Sequence, residues 1–587
     1  MLKLFKYLQK REWLLVLYSF VFIIVQVWLD LKLPDYMAEI TILVERKGSA
    51  MADILAAGGK MLLCALGSLA ASFIVGFFAS RIAAGFAMRL RAHIFEKTLS
   101  FSMEEFQSFS TASLITRSTN DITQVQMIIA MGLRAIVKAP ILAAWAIWKI
   151  ADKSWQWTAT TGGAVVFLLL MLTVVVIFAI PKFKMIQRLT DSLNRVTREN
   201  LTGIRVVRAY NAEAFQQEKF ERANHELTST NLYASRVMAI IQPGMGLLMS
   251  GLSLAIYWIG AYLIDAAAMP EKLTLFSDMV VFSAYAMQVI MAFMLLTMIF
   301  IMMPRASAAA KRINEVLSTK ATIREGTAVA SEAGKRGEIE FRNVSFKYPD
   351  AAEYVLRDIS FHAKAGETVA FIGSTGSGKS TLINLIPRFY DATQGDVLVE
   401  GIHVRNYKQE VLHNKIGYVP QRAVLFSGTV ASNVAYGDNG KDRSDLEDVH
   451  RAVEIAQGRE FVEKLEGGYE GTVAQGGTNL SGGQKQRLAI ARAICRKPEI
   501  YIFDDSFSAL DYKTDYVLRS RLKQETKGAT TLIVAQRIGT IRDADRIIVL
   551  DEGRVVGMGR HEELLKTCRV YQEIAYSQLS KEELVNG

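Results

Sequence analysis

Six apolar stretches in the first half of the chain decide what that half can fold into. Each is long enough to form a helix of about 20 residues, the length that crosses a hydrocarbon core about 30 Å thick. Arg134 and Lys138 interrupt the third stretch, and Gln242 and Pro243 interrupt the fifth. We predict membrane spans at approximately 13–33, 59–80, 127–149, 157–180, 237–264 and 275–303.

Lysine and arginine are distributed unevenly between the segments that join these stretches. The long polar segments 81–126 and 181–236 are rich in both, whereas the short loops near 34–55, 150–156 and 265–274 are not. Because basic loops stay on the cytoplasmic side, we expect both long segments and both termini in the cytoplasm, in a multi-pass protein of the cell membrane. This bias accounts for the net charge of +10, and no nucleic-acid partner is expected.

Aromatic and charged residues mark the expected edges of the lipid. The loop near 150–156 is bracketed by Trp145, Trp148, Trp155 and Trp157, as interfacial aromatics would be. We place Arg134, Lys138 and Asp278 near span ends, where they would act as interfacial anchors.

The composition changes after the sixth apolar stretch. Apolar strands such as TVAFIG, KIGYVP, IYIFDD and TTLIVA now alternate with helical stretches, which is typical of a soluble α/β domain. We therefore predict a multidomain chain: an all-α six-helix transmembrane domain at 1–315, a polar linker at 316–337, and an α/β nucleotide-binding domain at 338–587.

The strongest motif of the second half is the run from Gly373 to Ser380, which fits G-x-x-x-x-G-K-[ST] between a strand, Thr368–Ile372, and a predicted helix, Thr381–Phe389. Glycines let backbone N–H groups surround phosphate oxygens, and the helix N-terminus adds partial positive charge. Lys379 should reach the β- and γ-phosphates, and Ser380 should ligate Mg²⁺. The candidate phosphate-binding residues are Gly373, Ser374, Thr375, Gly376, Ser377, Gly378, Lys379, Ser380 and Thr381.

A second strand, Ile500–Phe503, ends in two aspartates. Asp504 is expected to act on Mg²⁺ as the carboxylate that accompanies such a phosphate loop. Asp505 occupies the next position, where a carboxylate that activates the attacking water would stand.

Leu480-Ser-Gly-Gly-Gln484 lies twenty residues before the acid pair. Together with the phosphate loop and the six spans, it resembles the signature of ATP-binding cassette (ABC) exporter half-transporters. The resemblance covers essentially the whole chain. It implies the type I/IV exporter fold, ATP and Mg²⁺ as cofactors, and coupling helices in the runs EEFQSFSTASLITRSTNDITQV and ENLTGIRVVRAYNAEAFQQEKF.

The resemblance also assigns residues one by one. Tyr348 matches the aromatic residue that stacks on adenine, Gln421 matches the glutamine that touches Mg²⁺ and the coupling helices, and Asp511 matches an aspartate of the dimer interface. The signature residues that close over the γ-phosphate of the other subunit's ATP are Ser481, Gly482, Gly483 and Gln484. Since each family site combines one phosphate loop with the opposing signature, a second ABC half-transporter is implied as partner.

Two positions depart from the family pattern within the same site. Asp505 stands where exporters have a glutamate, and Gln536 in IVAQR stands where they have a histidine. An aspartate is one methylene shorter, and an error of about 1 Å in position can cost roughly 10²-fold in rate. A glutamine cannot carry the proton or the positive charge of a histidine. Gln475, where exporters often have glutamate, is a third difference.

The candidate catalytic residues are thus Asp505, Gln536 and Gln421, and the candidate Mg²⁺ ligands are Ser380, Gln421 and Asp504. The weak site and the intact signature together resemble the degenerate-site subunit of a bacterial heterodimeric multidrug exporter. We expect a partner chain to supply the glutamate and histidine. The alternatives are a homodimeric exporter of lipid or peptide with slow hydrolysis, and a regulatory nucleotide-binding subunit that does not transport.

The expected cargo is a small amphiphilic or lipophilic compound, such as a drug. Few charges interrupt the spans, so a strongly charged cargo finds little counter-charge. Methionines at helical spacing in the sixth span could adapt to varied apolar shapes, although they could equally face lipid or pack between helices. These methionines are Met287, Met291, Met294 and Met298.

Overall fold

Long helices fill most of the first 318 residues. The computed structural model of the chain describes residues 2–46, 49–151, 153–349, 351–439 and 445–578. The first ten helices are α1 (Lys10–Glu45), α2 (Met51–Leu99), α3 (Met103–Ser108), α4 (Thr111–Ser118), α5 (Asn120–Ala151), α6 (Trp155–Thr202), α7 (Ile204–Ala209), α8 (Glu213–Ala239), α9 (Ile241–Ala266) and α10 (Met269–Ser318). Among the described residues, six helical segments are long and apolar enough to cross a membrane, as predicted.

The helices extend well beyond the predicted spans. Helix α1 continues to Glu45, so the predicted loop at 34–55 is wrong over most of its length. Arg134 and Lys138 do not interrupt α5, and Pro243 is accommodated in the first turn of α9, where its missing N–H leaves no helical hydrogen bond unmade. The amphipathic extensions of α2 and α6 carry the chain far past the apolar stretches.

The prediction that Lys138 lies near a span end, as an interfacial anchor, is wrong. This lysine is in the middle of α5, and its Nζ lies 3.0 Å from the carboxylate of Asp30 on α1. A second pair joins the same helices, since Lys149 Nζ is 2.9 Å from Asp35, which also accepts a hydrogen bond from the buried Tyr285 of α10. Ion pairs between helices are retained because a charge in a low-dielectric interior is costly without a partner.

Asp278 and Trp157, also predicted to lie at the membrane interface, differ in their surroundings. Asp278 lies 2.5 Å from Lys153, which follows α5 directly, so it stays close to the loop as predicted. Trp157 is not an interfacial residue, because it is 1% exposed and packs on Phe282 at a centroid distance of 5.4 Å. Trp148 and Trp155 are exposed.

The chain divides into two compact units, one formed by 1–99 and 111–319 and the other by 100–110 and 320–587. Helix α3, from the first predicted coupling run, therefore belongs with the second unit. Glu105 of α3 accepts hydrogen bonds from the backbone N–H groups of Ser102 and of Thr322, at 2.8 and 2.9 Å. These bonds outweigh the effect of burial and lower the pKa of Glu105. The second predicted coupling run contains the short helix α7.

The described residues of the second unit form two main sheets and a third sheet of only two strands. The strands of this unit are β1 (Ile339–Phe346), β2 (Leu356–Ala363), β3 (Thr368–Gly373), β4 (Gln394–Val399), β5 (Ile402–His403), β6 (Ile416–Val419), β7 (Gly428–Thr429), β8 (Thr472–Val473), β9 (Ile500–Asp504), β10 (Thr530–Val534), β11 (Arg546–Asp551) and β12 (Arg554–Gly559). The third sheet consists of β7 and β8. The larger sheet has the order β12-β11-β3-β10-β9-β6 and is parallel except for β12, and the antiparallel sheet has the order β2-β1-β4-β5.

The larger sheet is covered on both faces, since its inner strands β9 and β10 are buried along their whole length. Besides α3, the helices described in this unit are α11 (Lys379–Asn384), α12 (Gln409–Asn414), α13 (Val430–Val434), α14 (Leu446–Ile455), α15 (Arg459–Glu463), α16 (Gly482–Cys495), α17 (Tyr512–Glu525), α18 (Ile538–Ile541), α19 (His561–Thr567) and α20 (Arg569–Gln578). The helix predicted at Thr381–Phe389 is α11, which begins earlier and ends five residues sooner.

The segment between α10 and β1 contains no helix and no named strand among the described residues. Ala328 forms an isolated bridge with Tyr407, and Gly326 N donates to the same tyrosine's carbonyl oxygen at 3.0 Å. The linker is thus tied to the unit that follows it.

Candidate functional site

The candidate residues lie where four neighbouring parallel strands end. The phosphate loop follows β3, Gln536 follows β10, Asp504 and Asp505 close β9, and Gln421 follows β6. Because β3, β10, β9 and β6 are adjacent and parallel, their carboxyl ends meet at one edge of the sheet. Open α/β sheets place their ligand sites at this edge.

Glycines of the phosphate loop occupy positions that larger residues could not. Gly376 and Gly378 have φ of 85° and 94°, in the left-handed region that favours glycine. A Cβ atom on Gly378 would lie 2.7 Å from a Leu356 methyl group, whereas one on Gly376 would meet nothing within 4 Å. The loop is therefore packed on one side and open on the other, as a cradle for an external group would be.

Lys379 lies inside this loop. Its Nζ donates to the carbonyl oxygens of Gly373 and Ser374, at 2.9 and 2.7 Å, and to Ser377 Oγ at 3.2 Å. Burial lowers the pKa of the ammonium group, although the nearby carboxylates of Asp505 and Asp504 act in the opposite direction. An incoming anion would strengthen the charged form of the lysine, which is the property a phosphate site requires.

Two of the three candidate Mg²⁺ ligands, Ser380 and Asp504, are in direct contact. Ser380 Oγ donates to Asp504 Oδ1 at 2.8 Å, which joins the start of α11 to the end of β9. Burial raises the pKa of Asp504 despite this hydrogen bond. A cation between these groups would relieve the burial of that carboxylate.

Asp505 is held by the two residues that were assigned to the same site. Its Oδ2 accepts from Gln536 Nε2 at 2.9 Å and from Gln421 Nε2 at 3.3 Å. Burial raises the pKa of Asp505, and the amide hydrogen bonds, together with Lys379 and Arg537, only partly offset this effect. The three candidate catalytic residues therefore form one cluster.

Tyr348 follows β1 beside the phosphate loop. Its hydroxyl is 3.0 Å from Thr381 Oγ1, and its ring makes edge contacts with Phe346 and Tyr390 at centroid distances of 5.0 and 5.4 Å. The aromatic side chain is thereby fixed next to the predicted nucleotide site.

The signature residues are organised by helix capping. Ser481 is the N-cap of α16, and its hydroxyl accepts from Gln484 N at 3.3 Å while Gln484 Oε1 accepts from Ser481 N at 2.9 Å. Ser481 and Gly482 are exposed, and a Cβ atom on Gly482 would meet nothing within 4 Å. Among the described residues, no hydrogen bond joins this capping box to the phosphate loop.

Gln578 is a contact of this cluster that sequence reasoning missed. Its side-chain amide bonds to the backbone on both sides of Arg537, directly beside Gln536. A glutamine in the last helix carries no motif, so the only available signal is its proximity in the folded chain.

The residues fit ATP. The glycine cradle is open toward an external group, Lys379 is inside it, and an aromatic ring lies alongside. Two family models agree with this assignment. The model "ABC transporter" matches residues 356–508, and the model "ABC transporter transmembrane region" matches residues 16–315.

Curated relatives align along most of the chain. An uncharacterized ABC transporter ATP-binding protein of Mycobacterium tuberculosis is 39% identical over 94% of this chain and 93% of its own length. The uncharacterized ABC transporter ATP-binding protein YfiB of Bacillus subtilis is 36% identical over 88% of each. The ATP-dependent lipid A-core flippase of Pseudomonas aeruginosa is 33% identical over 84% of this chain and 80% of its own.

A solved structure of a bacterial Atm1-family ABC exporter with ATP bound has the same fold, with a TM-score of 0.79, 24% identity, and coverage of 97% of this chain and 100% of that one. The predicted fold class, six membrane helices followed by a nucleotide-binding domain, is confirmed. The chain belongs to the ABC transporter family, with the exporter fold and an ATP-binding domain whose hydrolysis of ATP is coupled to transport.

Proposed function

We propose that this chain is one subunit of a heterodimeric exporter that moves amphiphilic or lipophilic compounds across the cell membrane, and that its own ATP site is catalytically impaired. The observation that carries this proposal is the environment of Asp505, whose Oδ2 is held by two amides, from Gln536 and Gln421. Neither amide can take up a proton or carry a charge.

The chemistry of this cluster is weak for hydrolysis. A general base must lie within hydrogen-bond reach of the water proton that it takes, and an aspartate on this backbone reaches less far than a glutamate. Gln536 can donate a hydrogen bond to a γ-phosphate but cannot stabilise it as a cation. When Mg²⁺ is bound, Ser380, Gln421 and Asp504 would hold it, and it would neutralise charge on the phosphates.

The signature, in contrast, keeps all its parts. Ser481 and Gln484 cap α16 reciprocally, and Ser481 and Gly482 are exposed, so this helix end is available to a second nucleotide-binding domain. A partner with glutamate and histidine at the positions of Asp505 and Gln536 would form the working site with this signature. In this assembly both termini and the nucleotide-binding domain face the cytoplasm.

Exposed methionines on α10 support a lipophilic cargo. Met291, Met294 and Met298 are 44%, 43% and 50% exposed in this chain. Their unbranched, polarizable side chains can adapt to apolar ligands of different shape. The charges of Lys138 and Lys149 on α5 do not oppose this view, because they are neutralised by Asp30 and Asp35 of α1.

A homodimeric lipid exporter is the second candidate. The relative named ATP-dependent lipid A-core flippase favours it, since it is 33% identical over most of both chains. In that case Asp505 would be the working carboxylate at two equal sites, and hydrolysis would be slow at both.

Restoring the family residues tests the impairment. In Asp505→Glu with Gln536→His, ATP turnover at this chain's own site should rise roughly tenfold, because the carboxylate regains reach and residue 536 can again carry a charge. This turnover is measured in a reconstituted assembly whose partner has its catalytic glutamate changed to glutamine, so that only this chain's site contributes. The matched control is Asp543→Glu with Gln524→His, the same two changes at exposed positions of the same domain. An unchanged rate in the restored chain would show that this site is not limited by these residues.

The subunit composition tests the heterodimer. We expect native mass spectrometry of the complex, extracted from its own membrane in mild detergent, to find a second and different chain of similar mass. That chain should carry glutamate and histidine at the two positions. A complex of two identical copies would contradict the heterodimer and favour the slow homodimer.

A further inference from the structure

The side chain of Gln578 spans one residue of the segment that positions Gln536. Its Nε2 donates to the carbonyl oxygen of Gln536 at 2.7 Å, and its Oε1 accepts from the N–H of Ile538 at 2.9 Å. The amide therefore pairs with the backbone on both sides of Arg537, as a neighbouring strand would. We call these two hydrogen bonds the Gln578 clamp.

The clamp acts on a segment that reaches the catalytic cluster. Gln536 Nε2 donates to Asp505 at 2.9 Å, and Arg537 Nη2 donates to the carbonyl oxygen of Ser508 at 3.3 Å. Because Gln536 comes after the last residue of β10 and α18 begins at Ile538, the sheet ladder no longer fixes the backbone here. The two hydrogen bonds of the Gln578 clamp hold the backbone of Gln536 and Ile538 in place of the hydrogen bonds that a neighbouring strand would make.

The helix that carries Gln578 is itself firmly packed. Tyr571 and Ala575, on the inner face of α20, are both 0% exposed, and the tyrosine hydroxyl is 2.6 Å from His561 Nδ1. Gln578 is in the last turn of this helix, and its side chain bonds to the backbone of Gln536 and Ile538. A small movement of the helix end would therefore be transmitted to Gln536.

We propose that Gln578 is a positioning residue for ATP hydrolysis, which acts by holding the backbone of Gln536 so that this side chain meets Asp505. The inference rests on the proposed roles of Asp505 and Gln536, and it does not depend on whether the partner is a different chain. It assigns a function in the ATP site to the C-terminal helix, which lies outside every motif of the site.

The chemistry of the amide makes the inference specific. Glutamine both donates and accepts, whereas a glutamate of the same length is ionised near neutral pH and only accepts. In Gln578→Glu the carboxylate would face the carbonyl oxygen of Gln536, so one bond of the clamp becomes repulsive. Gln578→Ala removes both bonds and leaves the helix face that packs on the core intact.

The test uses the full assembly in lipid, with each variant made in the native chain and in the Asp505→Glu, Gln536→His chain. Where the partner is a different chain, its catalytic glutamate is changed to glutamine, so that the measured turnover is that of this chain's site. We expect Gln578→Ala and Gln578→Glu to lower turnover roughly tenfold in at least one of these backgrounds. The affinity for ATP, measured by equilibrium binding, should change by less than about twofold. Hydrogen exchange of the backbone around Ile538 should become faster. The control is Gln572→Ala, which removes a similar amide bond of the same helix, to the Leu565 carbonyl oxygen at 2.8 Å, away from the site.

A double-mutant cycle separates positioning from general stability. If Gln578 acts through the side chain of residue 536, Gln578→Ala should have less than a twofold effect on turnover in a Gln536→Ala chain. The inference is overturned if turnover stays within twofold of the parent in both backgrounds, or if the loss persists fully in the Gln536→Ala chain. An unchanged rate on restoring glutamate and histidine would overturn only the proposed impairment, since the effect of Gln578→Ala is measured in the native chain as well.

Discussion

Asp505 combines three physical features in one residue. Its backbone has φ of 45°, in the left-handed region, where aspartate and asparagine are tolerated because their short polar side chains bond locally. Its N–H still donates to the Val534 carbonyl oxygen at 2.9 Å, so the strand pairing continues up to this residue. The side chain is then directed into a cluster of amides, and burial raises its pKa. The position that the carboxylate reaches is thus set by the backbone conformation of Asp505 as well as by the length of its side chain.

Tyr348 is the residue whose proposed role in binding is easiest to isolate. We expect Tyr348→Ala to weaken ATP binding about tenfold, because stacking on a base contributes roughly 1–3 kcal/mol. Tyr348→Phe should stay within about twofold of the parent, since it keeps the ring and loses only the contact with Thr381. Equilibrium binding of MgATP to the purified protein measures both.

The matched control for this prediction is Tyr436→Ala. Tyr436 is 50% exposed and stacks on Phe426 at 4.4 Å, away from the phosphate loop. Equal losses in Tyr436→Ala and Tyr348→Ala would show that removing any exposed ring of this domain weakens binding, and the stacking role would be abandoned.

At the scale of elements, a buried ion pair joins the ends of β4 and β6, which belong to different sheets. Glu400, after β4, accepts from Gly337 N in the linker at 2.8 Å and pairs with Lys415 at 2.8 Å. Lys415 also pairs with Glu499, just before β9. Burial opposes ionisation of Glu400, but hydrogen bonds within this network outweigh it and lower its pKa to about 2.

This network predicts a pH-dependent stability. Because the pKa of Glu400 is lower in the folded chain than its ordinary value of 4.5, its contribution is complete above pH 4.5 and is lost as the pH falls toward 2. Glu400→Gln should therefore destabilise the protein by about 2 kcal/mol at pH 7, and by less than half of that at pH 3. Thermal unfolding of the full chain in detergent at the two pH values measures this difference.

The control for Glu400 is Glu410→Gln. Glu410 is exposed and pairs with Lys408 at 2.9 Å on the surface, where an ion pair contributes little. A Glu400→Gln variant that unfolds at the parent's Tm at pH 7, or that is equally destabilised at pH 3, would be inconsistent with the buried pair as the cause.

At the scale of the whole molecule, one chain carries one phosphate loop and one signature, together with six membrane helices. The membrane half is joined by ion pairs between helices, such as Asp121 of α5 with Arg312 of α10, whose Nε lies 2.7 Å from the carboxylate. The second unit recruits α3 from the segment between two membrane helices. Each unit is therefore built from two stretches of chain that are not contiguous in the sequence.

The orientation in the membrane gives a prediction at this scale. In a Cys64→Ser chain, a membrane-impermeant maleimide applied to intact cells should modify Ala268→Cys, in the α9–α10 loop, and leave Tyr210→Cys unmodified. The remaining Cys495 and Cys568 are buried. After permeabilisation both introduced cysteines should react, since Ala268 and Tyr210 are exposed. Labelling of Tyr210→Cys from outside would reverse the proposed topology.

Much of the architecture could be predicted from the sequence because its signals are local. The spans depend on about 20 consecutive apolar residues, and the phosphate loop on eight positions between one strand and one helix. The buried strands β3, β9 and β10 stand out as short apolar runs for the same reason. The ends of some helices, such as α1 and α11, differ from the prediction, because packing decides where a helix ends.

The sequence by itself therefore determined that this chain has six membrane helices followed by a nucleotide-binding domain, and which residues are the candidates for its phosphate site. Only the tertiary structure decided which distant side chains meet. Lys138 bonds to Asp30, Gln421 to Asp505, and Gln578 to Gln536, although the partners are separated by 108, 84 and 42 residues in the sequence. No local pattern marks such pairs, because the two partners are far apart in the sequence and come within hydrogen-bond distance only once the helices and the sheet have packed.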